Sequence, residues 1–273
     1  MIPAPFEYVR AGSVAEALAL LAEHGEDAKL LAGGHSLLPL MKLRLALPSV
    51  VIDVGRLREL SFVEERDDHI AVGALTRHHD IDVSPVLRRE VPLLSTAAHS
   101  IGDPQVRHRG TLGGSLAHGD PASDLPAVAL AARATVVARG PDGERVIAAD
   151  DFFRGFLETA LEPGEILTEV RFPKLASAGW SFQKFTRRAQ DWAIVGVAAV
   201  RNGSPGVALV NMGPRPVRAL GVEQALAAGA SVEDAAALAA EGTDPPGDLH
   251  AGPDFRAHLA RVLVRRALEE ASR

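Results

Sequence analysis

Cysteine is missing from the 273 residues of this chain, which removes disulfides, thiol nucleophiles and thiolate-ligated zinc or iron–sulfur clusters in one step. Any redox work must therefore use a bound cofactor. Basic blocks are missing too: 29 Lys plus Arg stand against 35 Asp plus Glu, a formal charge of −6. That balance argues against a dedicated nucleic-acid or anionic-membrane binder and points to small molecules or other proteins as partners. No secretory signal is legible, because Pro3 and Pro5 break the start and Glu7 and Arg10 follow before an apolar stretch can develop. No apolar run approaches the ~18 residues of a spanning helix, so a cytoplasmic protein without a membrane span is expected. At 47% hydrophobic and 23% charged residues the chain is neither disordered nor fibrous. On a prior of roughly 100 to 200 residues per domain, two domains are expected.

Ser13-Val14-Ala15-Glu16 has the spacing of a capping box, and Ala17, Leu18, Leu20 and Leu21 supply the apolar stripe of a short helix ending near Gly25. Strands are predicted at 29–32 and 50–54, with a partly helical apolar segment over 37–47 between them. This is a βαβ-like unit with Gly33-Gly34 at the end of its first strand. A strand at 70–74 leads into a helix after Thr76, and 91–100 reads as another helix. From Gly102 to Asp124 the composition predicts a long irregular, glycine-rich segment, uncommon inside a compact domain unless it binds something. A hairpin is predicted over 135–139 and 145–149, and a strand over 166–172. The pattern relaxes between Pro173 and Gly179. Antiparallel strands then follow at 180–187, 193–201 and 207–212, and helices at 221–228, 231–241 and 253–271. The chain is α+β.

Two glycine pairs carry the chemistry: Gly33-Gly34 followed by His35-Ser36, and Gly113-Gly114 between Thr111 and Ser115. Glycine permits positive φ and close backbone approach, so successive N–H groups can converge on an anion and a neighbouring hydroxyl can add a donor. Neither pair is a P-loop, and neither has G-x-G-x-x-G spacing. Alone, each reads as a turn; two together could grip a diphosphate from both sides.

The surrounding text is more specific. It runs Ala32-Gly33-Gly34-His35-Ser36-Leu37-Leu38-Pro39, then Asp103-Pro104-Gln105-Val106-Arg107, then Gly110-Thr111-Leu112-Gly113-Gly114-Ser115, then Gly119-Asp120-Pro121-Ala122-Ser123-Asp124-Leu125-Pro126. Lys184, Arg187-Arg188 and Asp191-Trp192 continue it. In these segments, and in length and segment order throughout, the sequence resembles the FAD-binding medium subunits of the molybdenum hydroxylase family, as in aerobic carbon monoxide dehydrogenase and the flavin portion of xanthine dehydrogenase.

The resemblance implies a PCMH-type FAD-binding fold, with two N-terminal subdomains over about 1–55 and 56–175 clasping noncovalent FAD. A C-terminal domain of antiparallel sheet and helices would span 177–273. Lys29, Leu30, Leu31, Ala32, Gly33, Gly34, His35 and Ser36 would follow the adenosine and diphosphate. Gly110, Thr111, Gly113, Gly114 and Ser115 would oppose them. Asp124 would meet a polyol or ring polar group, Ile101 and Leu167 would pack on the cofactor, and Lys184 and Trp192 would lie near the isoalloxazine. The family usually has Asn where Ser115 stands, so a side-chain contact there would be shortened or replaced by water. No catalytic residue and no metal ligand is implied in this chain. Molybdenum cofactor and 2Fe–2S clusters would sit in a large and a small partner subunit, in a dimer of heterotrimers. Electrons would enter from the clusters and leave through FAD to an external acceptor, and the absence of cysteine agrees.

Each assignment has a plainer competitor. Asp124 could cap the helix that follows it, Lys184 could be a solvated strand residue, and Trp192, Ile101 and Leu167 could be core. His35 follows a Gly-Gly pair as covalent flavin attachment sites do in other flavoproteins, but the family binds FAD noncovalently. His78-His79, His99, His108 and His118 match no zinc spacing and read as solvated loop residues. Two other functions remain open on the residues alone. One is a self-contained flavin oxidoreductase with its own organic substrate; the other is a nucleotide-binding or assembly subunit without turnover.

Overall fold

The computed structural model describes residues 2–273, so Met1, at the start of the expected first unit, lies outside them. The first layer is a parallel three-stranded sheet in which Val50–Asp53 lies between Glu7–Arg10 and Ala28–Leu31. Parallel neighbours need crossovers. The helices Val14–His24 and Leu37–Lys42 provide them. Ser13 Oγ accepts from the Glu16 N–H at 3.1 Å, the first half of the predicted capping box. Glu16 Oε2 reaches past Ser13 and takes the Gly12 N–H at 2.7 Å instead. Val14, Ala17 and Leu21 turn inward onto Val50 and Ile52 and form a small core under this sheet.

A second, antiparallel sheet has five strands in the order Val63–Glu65, His69–Gly73, Ile166–Pro173, Thr135–Gly140 and Gly143–Ala148. A third has four, in the order Gly179–Phe185, Val195–Arg201, Gly206–Val210 and Val217–Arg218. The helix Asp124–Ala131 is buried at every position because it packs on the third sheet and against the helices Pro92–His99 and Leu112–His118 in the large core, which explains a sequence apolar all round. Strand Val195–Arg201 shows the period-2 rule from inside. Ala198 and Val200 join the large core around that helix, whereas Val195, Val197 and Ala199 join the core under the C-terminal helices. Those helices are Leu220–Ala227, Val232–Ala237 and Pro253–Glu270. Among the described residues no helix is long and apolar enough to cross a membrane.

The region from Gly102 to Asp124, expected to be irregular, is a chain of short helices. Asp103 caps Pro104–Arg107 by accepting the Val106 N–H at 2.9 Å, and Thr111 caps Leu112–His118 by accepting the Gly114 N–H at 3.1 Å. Gly119, at φ 65°, ends the second. The polar, Gly- and Pro-rich composition marks caps, not loop. Sequence periodicity also missed the strand Glu7–Arg10, the helix Pro85–Glu90 and the short hairpin Phe153–Gly155 with Glu158–Thr159. Each is too short to display a period.

Arg256 fastens the C-terminal helix. Its side chain is 1% exposed, yet the guanidinium donates to Asp248 Oδ2 at 2.6 Å and to the Ile194 carbonyl. Replacing it by Met leaves the Ile194 carbonyl without its donor, a cost of about 1–3 kcal/mol, whereas Asp248, 43% exposed, returns to water and adds little. Arg256→Met should therefore lower the urea midpoint of unfolding with little change in its slope. An unchanged midpoint would show that Arg256 merely fills space.

Candidate functional site

The two glycine pairs, far apart in sequence, lie against each other. A Cβ added to Gly33 would run into the Arg109 carbonyl and stand 3.0 Å from Gly110 Cα, while one added to Gly114 would lie 4.0 Å from Ala32 Cβ. Gly34 follows at φ 80°, turning the chain out of strand Ala28–Leu31 toward the helix Leu37–Lys42. Arg77 ties the same junction from behind: its guanidinium donates to the Arg109 carbonyl and, at 3.3 Å, to the Gly55 carbonyl. Burial, and then the neighbouring Arg109, lowers the Arg77 pKa.

A cleft of about 1190 Å³ opens along this junction. From the first turn it is lined by Lys29, Leu30, Ala32, Gly33, Gly34, His35 and Ser36, and from the second segment by Gly110, Thr111, Gly114 and Ser115. Ile101, Asp124, Lys184 and Trp192 also line it. Three residues of the expected set lie outside the lining. The Leu31 carbonyl faces the sheet and accepts from Val54 N at 3.0 Å, and the Gly113 N–H is spent on the Ala74 carbonyl at 2.8 Å. Leu167 stands opposite Ala138 in the second sheet and is 6% exposed, a core residue.

Hydrogen-bond accounting separates the two glycine segments. In the second, the N–H groups of Leu112, Gly113, Gly114 and Ser115 donate respectively to the Thr76 carbonyl, the Ala74 carbonyl, Thr111 Oγ1 and the Thr111 carbonyl. This turn therefore closes on its own surroundings, contrary to the expectation that its amides stand free for an anion. In the first, no acceptor among the described residues takes the N–H of Gly33, Gly34, His35 or Ser36. Consecutive unclaimed donors at one wall of a cleft are the groups from which an anion-binding concavity is built. Ser115, in the place where Asn was expected, shares a 2.6 Å hydrogen bond with Ser123 and so ties this wall to the start of helix Asp124–Ala131.

Asp124 does not cap that helix; Ser123 holds the cap position, and the Asp124 carboxylate pairs instead with Lys184. The ion pair measures 2.7 Å between side chains only 11% and 6% exposed, and Lys184 Nζ also donates to the Ser100 carbonyl at 3.2 Å. Burial raises the Asp124 pKa and the Lys184 charge opposes that rise. Asp124 Oδ1 remains buried without a partner among the described residues. A sealed acceptor in a cleft wall is costly unless a ligand donor meets it. Lys184 is thus not a solvated strand residue. Trp192, 61% exposed, is not core, and its indole is available to the cleft.

Sequence reasoning missed His78, which it took for a solvated loop residue. The side chain is buried against Gly110, whose added Cβ would meet the ring at 2.5 Å, and its Nδ1 has no partner. Burial first, then His35 and Arg77, lowers its pKa from 6.5 to about 4. The turn around Leu161 and Pro163 also lines the cleft and carried no motif.

Against known proteins, the family model described as FAD binding domain in molybdopterin dehydrogenase matches residues 4–175, and that of the CO dehydrogenase flavoprotein C-terminal domain matches 180–271. The chain is 43% identical to the carbon monoxide dehydrogenase medium chain of Hydrogenophaga pseudoflava, covering 99% of this chain and 98% of that one. It is 37% identical to the glyceraldehyde dehydrogenase medium chain of Sulfolobus acidocaldarius, covering 99% of each. A solved structure of the Hydrogenophaga pseudoflava carbon monoxide dehydrogenase that lacks the Mo-pyranopterin moiety superposes with a TM-score of 0.96 at 44% identity, over 100% of this chain and 99% of the other.

Two outcomes follow from the geometry. Gly33→Val forces the touching segments apart, so the purified variant should lose its visible flavin absorbance; stoichiometric flavin in a folded variant would contradict the contact. His78 stays neutral in the fold, so between pH 6.5 and 4 the unfolded chain takes up a proton that the folded chain refuses. Stability from this group is complete above pH 6.5 and falls by roughly 3 kcal/mol on acidification to pH 4. Thermal melts of His78→Gln should show a shallower loss across that window than the parent; parallel curves would contradict a buried neutral ring.

Proposed function

We propose, for a chain that belongs to the family of FAD-binding medium subunits of molybdenum hydroxylases, that the cleft holds FAD with its diphosphate on the N–H groups of Gly33 to Ser36. The chain is an oxidoreductase subunit with a PCMH-type FAD-binding fold. The observation that carries the site is the meeting of the two glycine segments with those four donors unspent. The orphaned Asp124 Oδ1 fits the same ligand, because it can accept an N–H or O–H from the ring or polyol end. The cleft is also large enough for a dinucleotide.

Bound FAD supplies the chemistry that joins one-electron carriers to a two-electron acceptor. The protein's part is binding and electrostatics. Lys184 presents its ammonium beside the ring as half of an ion pair, so the local field is that of Lys184 and Asp124 together. Trp192 and Ile101 would supply apolar surface to the ring, and Thr111 supports the second wall. His35, whose Nε2 lies 3.5 Å from the Gln105 carbonyl, acts as a neighbour of the diphosphate without covalent attachment. No residue here needs to act as an acid–base catalyst.

The electrons come from elsewhere. The chain has no cysteine, so 2Fe–2S clusters belong to a small partner subunit and the molybdenum cofactor to a large one. Relatives named for carbon monoxide and for glyceraldehyde are 43% and 37% identical to this chain over nearly its whole length. Substrate choice therefore resides in the molybdenum subunit. We place the assembly in the cytoplasm as a dimer of heterotrimers, and divide this chain into FAD-binding subdomains at about 1–55 and 56–175 and a C-terminal domain at 177–273.

The test is to purify the chain with its co-expressed partners and record flavin absorbance during turnover. Oxidised flavin bands that bleach only when the iron–sulfur and molybdenum subunits and their substrate are present are expected. Bleaching of the isolated subunit by a small organic substrate would instead make it a self-contained oxidoreductase, and absence of flavin bands would leave a subunit without turnover.

A further inference from the structure

We infer that Arg107, anchored by the buried Asp82, is a positioning residue that sets the environment of Lys184 from outside the cleft; the inference rests on the FAD reading above. The link is the turn that follows helix Pro92–His99. Its Ser100 carbonyl faces inward and accepts from Lys184 Nζ at 3.2 Å, and Ile101 and Gly102 line the cleft. The three neighbouring carbonyls, of His99, Ile101 and Gly102, converge instead on Arg107 Nη1 at 3.2, 3.1 and 3.3 Å. One nitrogen with two hydrogens cannot give three full hydrogen bonds. Three carbonyl dipoles gathered at one point repel each other, and a cation at their focus is what holds them.

Arg107 is itself held. Its side chain is 15% exposed, and its Nε lies 3.8 Å from Asp82 Oδ2 without a hydrogen bond of its own. Asp82, in helix His78–Val83, is 8% exposed and also faces His99 Nδ1 at 3.1 Å and Arg88 Nη2 at 3.6 Å. The order is therefore Asp82, Arg107, the 99–102 turn, the Ser100 carbonyl, Lys184 and Asp124. The first two members do not line the cleft. Lys184 has two acceptors; the peptide that carries one of them is held by the Ile101 N–H on the Ala98 carbonyl at 3.2 Å, and the carbonyls on both sides of it are gathered by Arg107. A turn that relaxes leaves the ammonium to Asp124 alone and changes the field at the ring.

Arg107→Lys tests this in the assembled complex, because it keeps the charge but cannot span the carbonyls. The readout is the ratio of reduced to oxidised FAD at a fixed redox poise, measured on the FAD that remains bound. A change of about threefold or more in that ratio is expected, and it should vanish when Lys184→Met is already present. Asp82→Asn should change the ratio in the same direction by less, and serves if Arg107→Lys does not fold. A variant that loses stability or FAD content while its remaining FAD keeps the parent ratio would overturn the inference, as would an equal change with and without Lys184. Failure of the parent complex to carry FAD would instead strike the functional reading itself.

Discussion

The backbone of Gly33 lying directly on the Arg109 carbonyl is the contact on which the site depends. It joins the parallel three-stranded unit to the five-stranded unit at the mouth of the cleft, and no side chain fits between them. Arg77 reinforces it from behind through the carbonyls of Arg109 and Gly55. Glycine is required at position 33 by this packing of chain on chain. The turn that passes so close to its neighbour also lines the cleft with amides that no acceptor of the described residues takes.

The two walls then divide the work. The Leu112–His118 wall is self-sufficient: its first-turn amides are satisfied by Ala74, Thr76 and Thr111, which makes it a rigid backstop. The Gly33–Ser36 wall is under-satisfied and carries the demand for an anion. Asp124 and Lys184 repeat the division with side chains. One carboxylate oxygen is spent on the ammonium and the other is left for a ligand. A neutral His78 beneath Gly110 adds no charge to this region at neutral pH.

Much of this was legible in the residues. The strand, glycine turn and crossover around Gly33 came from hydrophobic patterning, the hairpin from Gly140-Pro141-Asp142-Gly143, and the C-terminal sheet and helices from period and breakers. Most of the residues named from the family resemblance line the cleft, although they are fewer than half of its lining. What stayed hidden was tertiary. No local pattern tells that the amide of Gly113 is already claimed, because its acceptor comes from residue 74, whereas the claim on Gly114 is local, made by the capping Thr111 three residues before it. The pairing of Asp124 with Lys184 joins a helix to a strand 60 residues away, so each read alone as a cap or a solvated lysine. His78 sits beside His79 in sequence, but one ring turns inward and is buried whereas the other is only partly covered.

Amide hydrogen exchange on the assembled complex, with FAD present and after its removal, measures the central contact and its consequence together. FAD should slow exchange at Gly33, Gly34, His35 and Ser36, while Leu112 to Ser115 should already be protected without it. Exchange at the first four that is indifferent to FAD, with protection gained only at Leu112 to Ser115, would contradict the assignment of the diphosphate to the first turn.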